Sequence, residues 1–249
     1  MTTTQSAWPA DWLRPDWPAP EHIHSCVTTR SVGASQPPFA QFNVAEHVGD
    51  DLAQVQANRT YLAQVLNCQP TWLNQVHGTQ IVQADATQVL TADASISRTP
   101  GLACCIMSAD CLPVLFTDQA GSCVAAAHAG WRSLVGGVLE KTLASMQVAP
   151  ERILVWLGPA IGAAAFEVGP EVRAAFLQQH AATEQAFVPS HNPGRWLADI
   201  YQLARIRLAA CGVQAVYGGG FCTVTDPRFY SYRGESVTGR FASLVWIGK

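Results

Sequence analysis

Leu102-Ala103-Cys104-Cys105-Ile106-Met107-Ser108-Ala109-Asp110-Cys111-Leu112-Pro113-Val114-Leu115-Phe116 is apolar at nearly every position. Short apolar runs of this kind suit strands buried on both faces. The stretch reads as a buried strand, a polar interruption at Ser108–Cys111, and more buried strand. Downstream, Ala125-Ala126-Ala127-His128-Ala129-Gly130-Trp131-Arg132 sets one histidine among alanines and a glycine. Side chains this small let backbones pack closely, so His128 is expected to project from a rigid wall. Upstream, Trp72-Leu73-Asn74-Gln75-Val76-His77-Gly78 places a second histidine beside a glycine.

Composition bounds the rest. Of 249 residues, 49% are apolar and only 13% charged, enough to fill a sizeable core. The net charge of −3 supplies no basic field, which argues against nucleic acid as a partner. No apolar run is long enough to cross a membrane, and the N-terminus lacks a basic region followed by an apolar one. A cytoplasmic protein without a membrane partner is expected. The eight cysteines are irregularly spaced, with no Cys-x-x-Cys pair, and read as free and mostly buried thiols.

Along the chain, residues 1–20 are rich in Pro and Trp and read as a surface-laid lead-in. His22–Arg30 suits a strand, and Ser31–Pro38 a loop. Asp50 or Asp51 is placed to cap a helix over Leu52–Leu66, whose apolar face would be Leu52, Val55, Leu62, Val65 and Leu66. Trp72–Val76 and Gln80–Ala84 read as strands flanking a turn at His77-Gly78-Thr79, and Asp93–Ser97 as a short strand end. Then follow a strand over Cys123–His128, a helix over Gly136–Met146, and a strand over Arg152–Leu157 that ends in the turn Gly158–Gly162. A helix begins at Gly169-Pro170-Glu171, with proline in its first turn. Pro189–Gly194 is a loop, Leu197–Cys211 an amphipathic helix, and Val213–Tyr217 and Ser243–Ile247 strands. Helices and strands mix without clean β-α-β alternation, which predicts an α+β (mixed α/β) fold. No repeat or linker divides the chain, so residues 1–249 are expected to form a single domain.

His77, Cys111 and His128 carry the chemistry. Two imidazoles and a thiolate satisfy a catalytic zinc that keeps one position open. The same residues also suit a Cys111 thiolate nucleophile with His128 as its base and Asp110 orienting the histidine. Separations of 34 and 17 positions form no motif, and nothing local decides between these readings. Gly78 and Gly130 permit close approach under either. Arg59, Arg132, Arg233 and Arg240 lie near these motifs, and their guanidinium forks suit phosphate or carboxylate; an ordinary ion pair is the plain alternative for each. Phe229-Tyr230-Ser231-Tyr232-Arg233 offers aromatic faces for a base, or else an ordinary core or edge strand.

These stretches, with Asn43–Asp50, Ala92-Asp93-Ala94, Leu157–Gly162, Phe166–Gly169, Leu197–Tyr201 and Thr238-Gly239-Arg240, resemble the YfiH family, also called the peptidoglycan editing factor or laccase-domain family. The resemblance runs almost end to end. It implies a layered α/β/β/α sandwich similar to the catalytic domain of cytotoxic necrotizing factors. It implies zinc held by His77, Cys111 and His128, and phosphorolysis of purine nucleosides (adenosine, inosine, guanosine, methylthioadenosine) with adenosine deamination alongside. Asp110 or Asp93 would move the proton, and Asn43, Arg59, Asp93, Arg132, Arg233 and Arg240 would bind nucleoside and phosphate. The protein would be a monomer. An older assignment in the family is copper-dependent phenol oxidation, with copper as the alternative metal. Members are also linked to removing wrongly built peptidoglycan precursors, which leaves a binding module without turnover as a third reading. The sequence departs from the family pattern at Ser133, at Gly220-Phe221 and at Gly234. Two arginines are thereby lost, and weaker phosphate affinity is expected.

Overall fold

The computed structural model describes residues 8–249. In chain order its strands are β1 (Ile23–Val27), β2 (Gln69–Thr71), β3 (Leu73–Asn74), β4 (Ile81–Gln83), β5 (Leu90–Thr91), β6 (Ala94–Ser97), β7 (Leu102–Ser108), β8 (Leu112–Asp118), β9 (Val124–Ala129), β10 (Ile153–Leu157), β11 (Glu167–Val168), β12 (Phe187–Pro189), β13 (Trp196–Ala198), β14 (Ala215–Gly218) and β15 (Phe241–Ile247). Its α-helices are α1 (Leu52–Leu66), α2 (Trp131–Val135), α3 (Val138–Met146), α4 (Pro170–Gln179) and α5 (Ile200–Ala210). Two sheets dominate, in the orders β1-β15-β7-β2 and β14-β10-β8-β9-β6-β4. The long apolar run divides between them, because β7 lies in the first and β8 in the second. Its polar interruption is the crossing from one sheet to the other.

Strand alternation explains the layers. On β7, Cys104 and Ile106 enter the core between the sheets, where they meet Leu115, Val124 and Ala126 of the facing sheet. Ala103, Cys105 and Met107 point the other way and pack with Leu62 and Leu66 of α1. On β9, Ala125, Ala127 and Ala129 face a third core shared with Leu139 of α3 and Leu203 of α5. Each inner strand is therefore buried on both faces, giving the expected α/β/β/α layering.

Several local expectations need correction. α1 spans the expected residues, capped by Asp51, whose carboxylate accepts from Ala53 N at 2.9 Å. Its buried face, however, replaces Leu52, which is 58% exposed, with Asn58 and Arg59. The helix expected over Gly136–Met146 is α3, which starts at Val138, and a separate short helix, α2, precedes it over Trp131–Val135. Gly137 (φ 91°) breaks them in the left-handed region that glycine adopts freely. Trp196–Ala198 joins a three-stranded sheet, so α5 begins only after Asp199, which caps it through Gln202 N. β3 and β4 flank the His77 turn but pair in different sheets. Phe229–Arg233 is not a strand; Phe229 and Tyr230 are core residues, and the Tyr230 hydroxyl donates to Phe39 O at 2.7 Å. Of the lead-in, residues 1–7 lie outside the described residues. Residues 8–20 run over the surface, every one but Trp12 being at least partly exposed, and are anchored there by Trp12, buried against Phe42, and by Leu13, which bridges to Val27.

Candidate active site

One buried carboxylate organises the site. Asp93, just before β6, accepts the backbone N–H groups of Val76, His77 and Gly78 at 3.2, 2.9 and 2.6 Å. These bonds hold His77 at φ 58°, a left-handed conformation that costs a non-glycine residue free energy. Asp93 Oδ1 also lies 2.8 Å from Nδ1 of His128, which is buried on β9. With Nδ1–H donating to Asp93, Nε2 is the nitrogen left to bind. A carboxylate behind an imidazole fixes ring orientation and tautomer in this way in metal sites.

Cys111 follows the sheet-to-sheet crossing at Asp110 (φ 88°), and the Ser108 hydroxyl donates to the Cys111 carbonyl. The donor atoms of His77, Cys111 and His128 lie within 4.8 Å of one another, running from exposed His77 through half-buried Cys111 to buried His128. Among the described residues this is the one such cluster. Gly130 makes room for it. A Cβ there would sit 2.8 Å from His77 Nδ1 and 2.9 Å from Cys111 Sγ, though its own backbone (φ −59°, ψ 156°) is open to any residue. Burial disfavours charge on His128, but the Cys111 sulfur and Asp93 outweigh it and raise its pKa to about 9. Burial, with the neighbouring His128 and the cations Arg132 and Arg240, pushes His77 down.

The donor chemistry fits zinc. Two imidazoles and one thiolate are borderline-soft ligands, their number leaves a position free, and the outer carboxylate is in place. They stand in a cleft of about 410 Å³ also lined by His47, Gln75, Met107, Tyr232 and Arg240. Gln75 is fixed there by a reciprocal pair of hydrogen bonds with the Met107 backbone at 2.9 and 2.8 Å. Partial burial and the cations Arg240 and Arg59 push the pKa of His47 down. Sequence reasoning missed His47, Gln75 and Met107 as wall residues, while Tyr232 lies in the aromatic stretch it offered for a base. The only signal for them was that all three fall inside stretches already singled out for neighbouring residues.

The other expected site residues take different places. Arg240 lines the cleft; its N–H donates to Asn43 Oδ1 at 2.9 Å and its Nη1 to the Thr238 and Gly239 carbonyls. Asn43 is fully buried and acts behind Arg240 rather than in the cleft. Arg59 is buried, donating to Val44 O and Glu46 at 2.8 Å each and stacking on Trp72, so it is an internal ion pair. Asp93 stands behind the histidines. The Arg132 guanidinium is exposed and lies 4.3 Å from the Trp131 ring centroid. Arg233 is spent on the Ala165 and Glu167 carbonyls. Asp110, expected to move a proton, does not line the cleft, and both its oxygens are engaged, by Thr223 Oγ1 and Arg233 N at 2.6 Å each. Ser133 is fully buried with an unpartnered hydroxyl, and Gly234 lies outside the cleft beside Arg30 and Glu235.

Four layers with a two-histidine, one-cysteine cluster where the chain crosses between sheets define an α/β/β/α protein with a potential metal centre. A family model described as multi-copper polyphenol oxidoreductase laccase matches residues 24–248. A purine nucleoside phosphorylase of Pseudomonas aeruginosa is 62% identical, covering 95% of this chain and 98% of its own. The purine nucleoside phosphorylase YfiH of Escherichia coli K12 is 49% identical over 94% of this chain and 97% of its own. The crystal structure of Neisseria meningitidis protein NMB0706 superposes with a TM-score of 0.93 at 46% identity, covering 96% and 99% of the two chains. The chain belongs to this laccase-domain family, the YfiH family.

Proposed function

We propose that this protein is a zinc-dependent purine nucleoside phosphorylase acting on adenosine, inosine, guanosine and methylthioadenosine, with adenosine deamination as a second activity. The observation that carries the reading is the His77, Cys111 and His128 cluster, aligned by Asp93 at one end of a cleft that also presents Arg240. The names of the relatives support the substrate class.

In phosphorolysis, a phosphate oxygen bonds to C1′ of the ribose, the C1′–N9 bond breaks, and its electron pair leaves with the purine, which takes up a proton. Arg240 is the cation in the cleft suited to hold phosphate, because its guanidinium is half-buried and its backbone is pinned by Asn43. In deamination, water adds to C6 of adenine and ammonia departs. When bound by His77, Cys111 and His128, zinc supplies Lewis acidity at that end of the cleft. Asp93 keeps the two histidines in register. The link to peptidoglycan editing rests on family resemblance alone.

The description of the family model as a multi-copper oxidoreductase favours a second reading, copper-dependent phenol oxidation. Multicopper chemistry needs several metal sites, and the described residues assemble one three-ligand cluster.

Turnover of inosine and adenosine with and without phosphate, resolved by product, tests the proposal. Phosphate-dependent hypoxanthine from inosine, about one zinc per chain, and loss of both activities in His77→Ala are expected. Near-wild-type rates in His77→Ala would defeat the zinc reading and leave Cys111 as a thiolate nucleophile. Several coppers per chain together with phenol oxidation would establish the second reading instead.

A further inference from the structure

Tyr232 is an oddity of the cleft. It is 59% exposed, yet it sits in the wall shared with His77, Cys111 and Arg240. Its aromatic neighbours in sequence, Phe229 and Tyr230, are fully buried and closed to any ligand. An exposed aromatic ring on a mobile loop would mean little; this one stands on a fastened turn. The Ser231 hydroxyl accepts from Gly234 N at 3.0 Å, and Glu235 N donates to Ser231 O at 2.9 Å. The next residue, Arg233, gives its N–H to Asp110 at 2.6 Å and its guanidinium to the Ala165 and Glu167 carbonyls. Asp110 also holds Thr223, and its own carbonyl accepts from Ile161 N at 2.9 Å. Both residues flanking Tyr232 are therefore tied down while its ring is left free at the cleft. The Arg240 guanidinium carbon lies 5.9 Å from the ring centroid, so the cation borders the ring.

We propose that Tyr232 is the platform on which the planar base of the substrate stacks, and that Asp110 is a positioning residue that fastens the turn carrying it. The inference rests on the nucleoside reading of the cleft and deepens it. Stacking on a ring that is already immobilised avoids the cost of ordering a loop on binding. It also tolerates changes at the base edge, because every purine presents a π-face. Arg240 beside the ring places the phosphate-binding cation next to the base platform.

The test measures inosine binding by calorimetry on zinc-loaded protein, alongside KM and kcat for inosine and KM for phosphate. Tyr232→Leu should raise the inosine Kd and KM roughly ten-fold or more, as removal of a stacking partner does. The conservative Tyr232→Phe should restore most of the loss. Phosphate KM and zinc content should hold in both variants. Asp110→Asn should weaken inosine binding in the same direction, with zinc content unchanged. Wild-type inosine affinity in Tyr232→Leu overturns the platform, as does an equal loss in phosphate KM. A wild-type protein that binds inosine without cleaving it defeats the phosphorylase reading, while the Tyr232 comparison still decides the platform through Kd. A wild-type protein that does not bind inosine overturns both.

Discussion

Gly130→Ala separates the metal site from the fold with a single methyl group. The backbone at Gly130 (φ −59°, ψ 156°) suits alanine, so the substitution carries no conformational penalty. Its cost lies in contacts. The new Cβ would stand 2.8 Å from His77 Nδ1 and 2.9 Å from Cys111 Sγ. Ordinary van der Waals contact would need these atoms about half an ångström further off. A metal site tolerates about 0.2 Å in its ligand distances, so the displacement exceeds what the cluster can absorb while closing on an ion. Overpacking of this kind costs about 1–3 kcal/mol, a rise in zinc Kd of roughly five- to a hundred-fold. Because His77 is exposed, it can swing outward in the metal-free chain. The melting temperature without metal should therefore stay near that of the wild type. Zinc affinity measured against a chromogenic chelator, together with melting curves with and without metal, reads both effects. Unchanged zinc affinity, or an equal loss of stability in the metal-free protein, would refute the reasoning.

Asp93→Asn exchanges an acceptor of four hydrogen bonds for a group that must present an amide to some of those donors. Zinc affinity, read by competition titration, should fall roughly ten- to a hundred-fold. Arg59→Ala removes a buried guanidinium that bonds Val44 O and the partly exposed Glu46, and should cost about 1–2 kcal/mol in denaturant unfolding, while KM for inosine and phosphate stays put. Arg240→Ala should do the reverse, raising phosphate KM with a smaller effect on stability. Thiol labelling of native metal-free protein at pH 8 should find Cys111, Cys211 and Cys222 reactive. Cys222 should react first, because hydrogen bonds from Thr225 and nearby backbone N–H groups outweigh its burial and lower its pKa. Burial pushes the Cys68 and Cys104 thiols up to about 12 and Cys123 to about 11, so these should react only after unfolding, and zinc should protect Cys111.

The mix of helices and strands was legible because its signals are local, whereas the four-layer arrangement came from the family resemblance. The apolar runs of β7, β8 and β9 announce strands covered on both faces. The start of α1 follows from a capping aspartate, and in the structure Asn67, with φ 49°, closes its other end. What was not legible depends on partners distant in sequence. Trp196–Ala198 carries a helix-compatible pattern but pairs with Phe187–Pro189, and that pairing overrides the pattern. Arg59 looked like an anion binder because it lies near the site motifs; Glu46 and Val44, which claim its guanidinium, become neighbours only when a helix packs against the preceding loop. The triad could be named through resemblance, since its spacing carries no motif. The cleft walls come from separate loops, and nothing in the sequence around His47, Gln75 or Tyr232 records that they meet.

The crossing of the chain at Ser108–Cys111 has a consequence for the order of assembly. His77 stands in the turn between β3 and β4, Cys111 at the passage between the two large sheets, and His128 inside the second sheet. The hairpin of β8 and β9, which sets Pro113 opposite His128, brings Cys111 and His128 together, and His77 joins them only when β6 and β4 extend that sheet and Asp93 takes its N–H. The three-ligand pocket is therefore complete only once the six-stranded sheet has formed. A metal bound there would act as a rivet on a finished frame, unlike a zinc finger whose folding waits for its metal. Stripped protein should remain folded and accept metal back without passing through an unfolded state, with its stability rising only by the mass-action contribution of the bound ion.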